Sequence, residues 1–312
     1  MPTKQVRTSK YNRGETRTGL LFASPWLIGL AVFGIYPIVA SLYYSLCRYN
    51  ILKPPQFIGL ENFRLLWDDR LFWKSLGNTL WLTGIGLPLQ LAAALGAAML
   101  LNARVKGQSF FRTCFYLPSL VPAVATAIVW LWIFNPELGI LNTVLGWLGL
   151  PKPGWMTDPA WSKPALVLVG IWGMGGTMII FLAGLQQIPK ALYEAALVDG
   201  ANAWQRFRNV TIPILSPVIF FNLIMGIIGS FQYFTHVYVM TAGLSGGARG
   251  VGGPEASTLV YPLYLYQNAF LYFRMGYASA MAWILFVIIG VFVWLTFRTS
   301  GWVHYEGNED GR

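Results

Sequence analysis

The sequence predicts an all-α integral membrane protein, with six transmembrane helices and a helical hairpin on the cytoplasmic side. Three observations predict it. Of 312 residues, 55% are hydrophobic and only 11% charged, with mean hydropathy +0.53, whereas soluble domains carry about 25% charged residues. Six apolar stretches reach the roughly 20 residues that a spanning helix needs, and none has Asp, Glu, Lys or Arg at its centre. Between the fourth and fifth lies a charged, soluble-looking stretch, "YEAALVDGANAWQRFRNVTIP" at 193–213.

The spans are expected at 20–46, 77–102, 111–134, 164–187, 213–240 and 277–297. They form one transmembrane domain over 20–298, flanked by cytoplasmic tails at 1–19 and 299–312. Helices are required because lipid leaves backbone groups no external partner, and runs this long exceed barrel strands of about ten residues. The first run is too long for a signal-peptide core and lacks a clean small-residue cleavage site, so it reads as a span. Pro118 and Pro122 predict a packing kink in the third span. "NPELG" at 135–139 and "PKPG" at 151–154 break helices in the outer loops. "GLSGGARGVGGPEAS" at 243–257 reads as a flexible loop, and Pro262, Gln267 and Asn268 make 258–273 an interfacial or re-entrant segment.

Lys and Arg set the orientation. They concentrate in the N-terminal tail (Lys4, Arg7, Lys10, Arg13, Arg17), the 103–112 link (Arg104, Lys106, Arg112) and the 189–212 hairpin (Lys190, Arg206, Arg208). The 48–75 loop is also basic, but Glu61, Asp68 and Asp69 offset it. Both termini and the hairpin are therefore expected in the cytoplasm, and the 14 Trp and 15 Tyr suit the headgroup level. The net charge of +10 sits mainly beside apolar runs, which fits membrane orientation rather than nucleic acid. Cys47 and Cys114 lie at the edges of apolar runs and suggest no disulfide framework.

Several chemistries lack their residues. No Gly-rich loop ends in Lys-Ser/Thr, and there is no nucleophile elbow or zincin helix. His236 and His304 have no metal-like partners in sequence. Ion-coupled carriers generally use buried charged relays, whereas these spans offer Gln90, Thr177, Ser230, Gln232 and aromatic rings. Such a neutral pathway suits a neutral polar solute such as a sugar, with the driving energy supplied by another subunit. An ion-coupled carrier acting alone and a membrane enzyme are the alternatives.

In the hairpin, Pro189 leads into a helix over 190–198, and Asp199-Gly200 is a turn signal. A second helix is expected from Ala201 or Asn202 to Asn209, ending before Pro213. Leu192, Ala195 and Ala196 share one face of the first helix, and Trp204 and Phe207 stand i,i+3 on the second. The residues alone leave two readings level, a docking knob or a connector lying flat on the membrane.

"EAALVDGANAWQRFRNVTIP" resembles the EAA loop of ABC-importer permeases, with Glu194, Ala195, Ala196, Gly200, Val210, Ile212 and Pro213 at the motif positions. "FIGLENF" at 57–63, "LGNTLWLT" at 76–83, "FYLPSLVPAVATAIVWLWIFNPELGILN" at 115–142, "GSFQYFTHVYVMTAG" at 229–243 and "YFRMGYASAMAWILF" at 272–286 are similar to sugar-importer permeases related to those for maltose and glycerol 3-phosphate. The resemblance implies a type I importer permease forming half of a translocation pathway. Its implied partners are a second homologous permease, two ABC ATPase subunits that bind ATP and Mg, and an extracytoplasmic solute-binding protein. No cofactor is implied on this chain. Glu194, Ala195, Ala196, Asp199, Gly200, Trp204, Phe207 and Pro213 would couple to the ATPase. Trp172, Thr177, Gly226, Ser230, Gln232 and Tyr233 would line the solute pathway. Gly173, Gly175 and Gly176 replace bulkier residues of the maltose relative, so pocket shape differs there. The implied location is a bacterial or archaeal plasma membrane.

Overall fold

In the computed structural model, which describes residues 13–103, 106–245 and 252–303, the chain is almost entirely helical. The first span is α1 (Arg13–Leu30) and α2 (Tyr36–Ser45), joined by a π turn. A two-residue antiparallel pair, β1 (Cys47–Arg48) with β2 (Gln56–Phe57), leads to α3 (Glu61–Trp67). The second span is α4 (Arg70–Trp81) and α5 (Leu87–Asn102), again joined by a π turn. Among the described residues, four helices are long and apolar enough to cross a membrane, and the total rises to six if each of two bent pairs forms one span.

The bent pairs are the main departure from the sequence reading. The stretch at 111–134 is two helices, α6 (Gln108–Leu120) and α7 (Ala123–Ile133), meeting at 102°. Pro118 and Pro122 therefore produce a break, not a kink within one straight span. Pro122 is the extended N-cap of α7 and cannot donate into a continuing helix. The fourth stretch divides into α9 (Pro159–Trp172) and α10 (Gly175–Gln187), bent by 49° at Gly173-Met174. Gly175 sits so close to the Phe115 carbonyl and Tyr116 Cα that a methyl group there would collide with backbone.

Prolines elsewhere are absorbed differently. Three π turns, Ala31–Ile35, Leu82–Gly86 and Phe207–Thr211, each close on the residue preceding Pro37, Pro88 or Pro213. That residue donates five positions back, as Ile212 does to Phe207. A proline cannot donate to the carbonyl four positions back, and its ring crowds that carbonyl. Widening the turn by one residue lets the helix continue. The expected helix end before Pro213 is thus corrected, because α12 (Ala203–Arg206) runs through the π turn into α13 (Ile212–Phe231).

Packing follows small residues. Along α5, Ala94, Ala97 and Ala98 are buried against Met178, Phe181, Leu182 and Leu185 of α10, the close approach expected where helices pack in lipid. The first span packs on α16 (Met275–Arg298) through α2, and α7 packs on α14 (Thr235–Ser245). The segment at 258–273 is a six-residue helix, α15 (Tyr261–Tyr266), followed by a π turn, and it is folded into the core against α4 and α16. Tyr261 N–H donates to Thr79 Oγ1 (2.8 Å) and its hydroxyl to Met281 O (2.7 Å). Asn78 donates to Ala256 O and Leu259 O. Residues 246–251 of the expected 243–257 loop lie outside the described residues, as does His304.

Two loop devices brace this half. Asn142 of α8 (Ile140–Trp147) accepts from Trp155 Nε1 at 2.8 Å and donates to Pro136 O and Pro153 O. Asp69 caps α4 through Leu71 N–H (2.8 Å) and Phe72 N–H (3.4 Å), and accepts the hydroxyls of Tyr264 and Tyr277 at 2.5 Å each. Burial pushes the Asp69 carboxyl up, but the four hydrogen bonds outweigh it and hold it below the ordinary carboxylate value.

Candidate functional site

The hairpin is built by helix-end chemistry. Pro189 is the N-cap of α11 (Lys190–Val198), and Asp199 is its C-cap. Gly200 takes φ +77°, a conformation glycine adopts without steric cost. Its N–H donates to Leu197 O (3.1 Å), and that of Ala201 to Ala196 O (2.9 Å), the paired bonds of a Schellman ending. Asn202 then opens α12 with a capping box, exchanging bonds with Gln205 at 2.8 and 2.9 Å. Tyr193 and Thr211 join the two arms by a 2.9 Å hydroxyl bond.

The tip is apolar and uncovered. Leu197, Val198 and Trp204 are 53%, 89% and 65% exposed, and Trp204 rests on Phe207 with ring centroids 5.5 Å apart. Glu194, Ala195 and Asp199 are exposed around it, and Ala196 is half-buried. On the opposite side Tyr193 and Val210 pack against the α5–α10 core. Pro213 starts α13 and is not part of the tip. An exposed apolar tip on a braced base is suited to insertion into another surface.

A cavity of about 540 Å³ lies where the bent pairs meet α5 and α13. Both bends contribute lining, with Pro118, Ser119, Val121 and Ala123 from one and Gly173 from the other. The breaks therefore open the space that straight helices would fill. Trp172, Thr177, Gly226, Ser230 and Tyr233 all line it, whereas Gln232 is exposed and lies outside the lining. The lining holds no Asp, Glu, Lys or Arg.

Tyr233 stacks on His236 at 5.2 Å and 17°, and its buried hydroxyl has no hydrogen-bond partner. Trp130 meets Trp172 edge-on at 5.9 Å. Gln90 and Asn222 also line the cavity. Each is an amide in an otherwise apolar run, a sequence signal that could have marked Asn222. Among the described residues, no three His, Cys, Asp or Glu side chains gather as a metal site requires.

A family profile described as "binding-protein-dependent transport system inner membrane component" matches residues 86–302. The chain belongs to this family. It is a multi-pass transmembrane permease subunit of an ABC transporter. The permease is 43% identical over 309 residues to the probable ABC transporter permease protein YesP of Bacillus subtilis, covering 98% of this chain and 97% of that one. It is 37% identical over 289 residues to the lactose transport system permease protein LacF of Rhizobium radiobacter, covering 90% and 93%. Among solved structures it resembles a chain of a bacterial ABC transporter involved in import of the acidic polysaccharide alginate, with TM-score 0.74 and 25% identity over 92% of this chain and 97% of that one.

Proposed function

We propose that the permease imports a neutral carbohydrate and is driven by an ATPase docked on its hairpin. The lactose and alginate names of its relatives support a saccharide. The uncharged lining with aromatic rings, amides and hydroxyls favours an uncharged one. Aromatic faces cover the apolar side of a sugar ring, while Ser230, Thr177 and Tyr233 meet its hydroxyls. A second homologous permease supplies the other half of the pathway, and an extracytoplasmic binding protein delivers the solute. ATP and Mg bind on two ATPase subunits, which hydrolyse ATP, and this chain has no catalytic role. Both termini and the hairpin lie on the cytoplasmic side of a bacterial or archaeal plasma membrane.

The observation that carries this reading is continuity. The hairpin arm α12 passes through the 207–211 π turn into α13, which reaches the cavity at Asn222, Gly226 and Ser230. Movement of Trp204 and Phe207 with a docked ATPase is therefore delivered directly to the cavity wall, opening it alternately to either side. Glu194→Lys and Gly200→Val test it. Each is expected to abolish solute-stimulated ATP hydrolysis in the reconstituted transporter while the permease still inserts. Unchanged ATPase association and uptake in both variants refutes it.

A further inference from the structure

His236 is a cavity residue to which the pathway described above gives no task. It lies just past the point where α13 ends at Phe231 and residues 232–234 unwind before α14 begins at Thr235. Irregular backbone at membrane depth is tolerated where protein buries it or where it lines a cavity, and Tyr233 and His236 both line this one. Their rings stack at 5.2 Å and 17°, so the tyrosine covers one face of the imidazole and fixes its plane. No protein group bonds either imidazole nitrogen. The nitrogens are also open, since the Tyr233 hydroxyl belongs to the side-chain atoms buried without a partner and they do not. A histidine held for packing alone would ordinarily have a ring nitrogen paired with protein, and polar ionisable groups inside spans mark pathways.

We propose that His236 is a specificity-determining residue, whose imidazole edge hydrogen-bonds one hydroxyl of the saccharide in the cavity and so selects saccharides that carry it. The proposal rests on the reading that the cavity passes a neutral carbohydrate. A neutral imidazole offers a donor at one nitrogen and an acceptor at the other, and a sugar hydroxyl can answer either. The hydroxyls of Thr177 and Ser230 rotate to suit whatever they meet. An imidazole held in plane by the Tyr233 stack does not, so it discriminates by direction. A site built to bond a hydroxyl rejects the analogue that lacks it, because its own polar group is then left unpaired.

The test is uptake of radiolabelled saccharides by the native host, with the permease gene deleted and each variant supplied beside the native partner subunits. The panel is of neutral di- and oligosaccharides, among them lactose, maltose, trehalose and arabinobiose, and then the mono-deoxy derivatives of the one that wild type transports. Saturating rates are divided by the amount of permease in the membrane. The ratio of variant to wild type is read for each saccharide, which cancels selection by the other subunits. His236→Phe keeps a stacking ring without the nitrogens and is expected to lower the rate for the parent saccharide at least fivefold. For one deoxy derivative, the one lacking the bonded hydroxyl, the ratio should stay within twofold of unity, the coupling that a direct contact gives. His236→Gln restores a donor and an acceptor and should bring the parent rate back within threefold of wild type. A ratio that falls equally for the parent and every derivative marks a packing role and overturns the proposal, as does a ratio of unity throughout. If wild type transports nothing in the panel, the neutral-carbohydrate reading itself falls.

Discussion

Replacing Asp69 by Ala is expected to loosen the half of the permease where α4, α15 and α16 meet. The carboxylate serves three elements, capping α4 through two backbone N–H groups and accepting hydroxyls from Tyr264 on α15 and Tyr277 on α16. Loss of an N-cap costs about 1 kcal/mol, and each hydrogen bond to a charged group about 1.5–3 kcal/mol. Because Asp69 is only partly buried, the lower end of that range applies, giving a total of about 4 kcal/mol. Tyr264→Phe or Tyr277→Phe alone should cost about 1 kcal/mol, because the carboxylate keeps its other partners. The single costs should not add in a double-mutant cycle, as expected within one network.

The assay is denaturant unfolding of the detergent-solubilised permease, followed by tryptophan fluorescence. Its pH dependence has a definite sign. The folded carboxyl is held below its ordinary value, so the contribution is full above the unfolded value of about 4 and disappears as pH falls through the folded value. The gap between wild type and Asp69→Ala should therefore be full at pH 6 and narrow as pH falls below about 4. A deficit below 1 kcal/mol at pH 6, or a gap independent of pH, refutes the reasoning.

Three further outcomes are expected. Gly276→Ala drives a methyl group into the Cys47 carbonyl, where Gly276 N–H also donates to Tyr49 O at 3.1 Å; it should lower stability by about 1–3 kcal/mol, read in the same unfolding assay. Tyr233→Phe removes a buried hydroxyl with no protein partner, so stability should hold while the KM for solute uptake rises up to about tenfold. Asn202→Ala breaks the capping box and should cost about 1 kcal/mol locally, detected as faster hydrogen exchange at Ala203–Arg206 with the spans unchanged.

How much was legible differs from element to element. Uninterrupted apolar runs marked the spans because each helix must satisfy its own backbone in lipid. The Asp199-Gly200 turn was legible because positive φ is a local demand that few residues other than glycine meet readily. The same local logic failed at proline. Pro118, Pro122, Pro88 and Pro213 carry the same ring, yet two accompany a 102° break and two are absorbed by π turns. Local sequence specifies that a hydrogen bond is lost, whereas neighbouring helices decide whether the chain widens or folds over.

The cavity shows the same division. Trp172, Thr177, Gly226, Ser230 and Tyr233 share one cavity, and Gln232, adjacent in sequence to Tyr233, does not. Beyond Phe231 the helix ends, so the side-chain directions of 232 and 233 no longer follow one helical face. His236 and Gln90 enter the lining because α14 and α5 converge there, a juxtaposition of residues more than 140 positions apart that no periodicity encodes.

By itself, then, the sequence determined which segments are apolar enough to cross a membrane, the hairpin's turn and the absence of Asp, Glu, Lys and Arg from the residues that line the cavity. These depend on residue type and on spacing within one or two helical turns. Only the tertiary structure decided where spans break, that 258–273 folds into the core, and that the hairpin arm is continuous with the cavity wall. Those outcomes depend on contacts between distant helices, where a single methyl group at Gly175 or Gly276 would meet backbone.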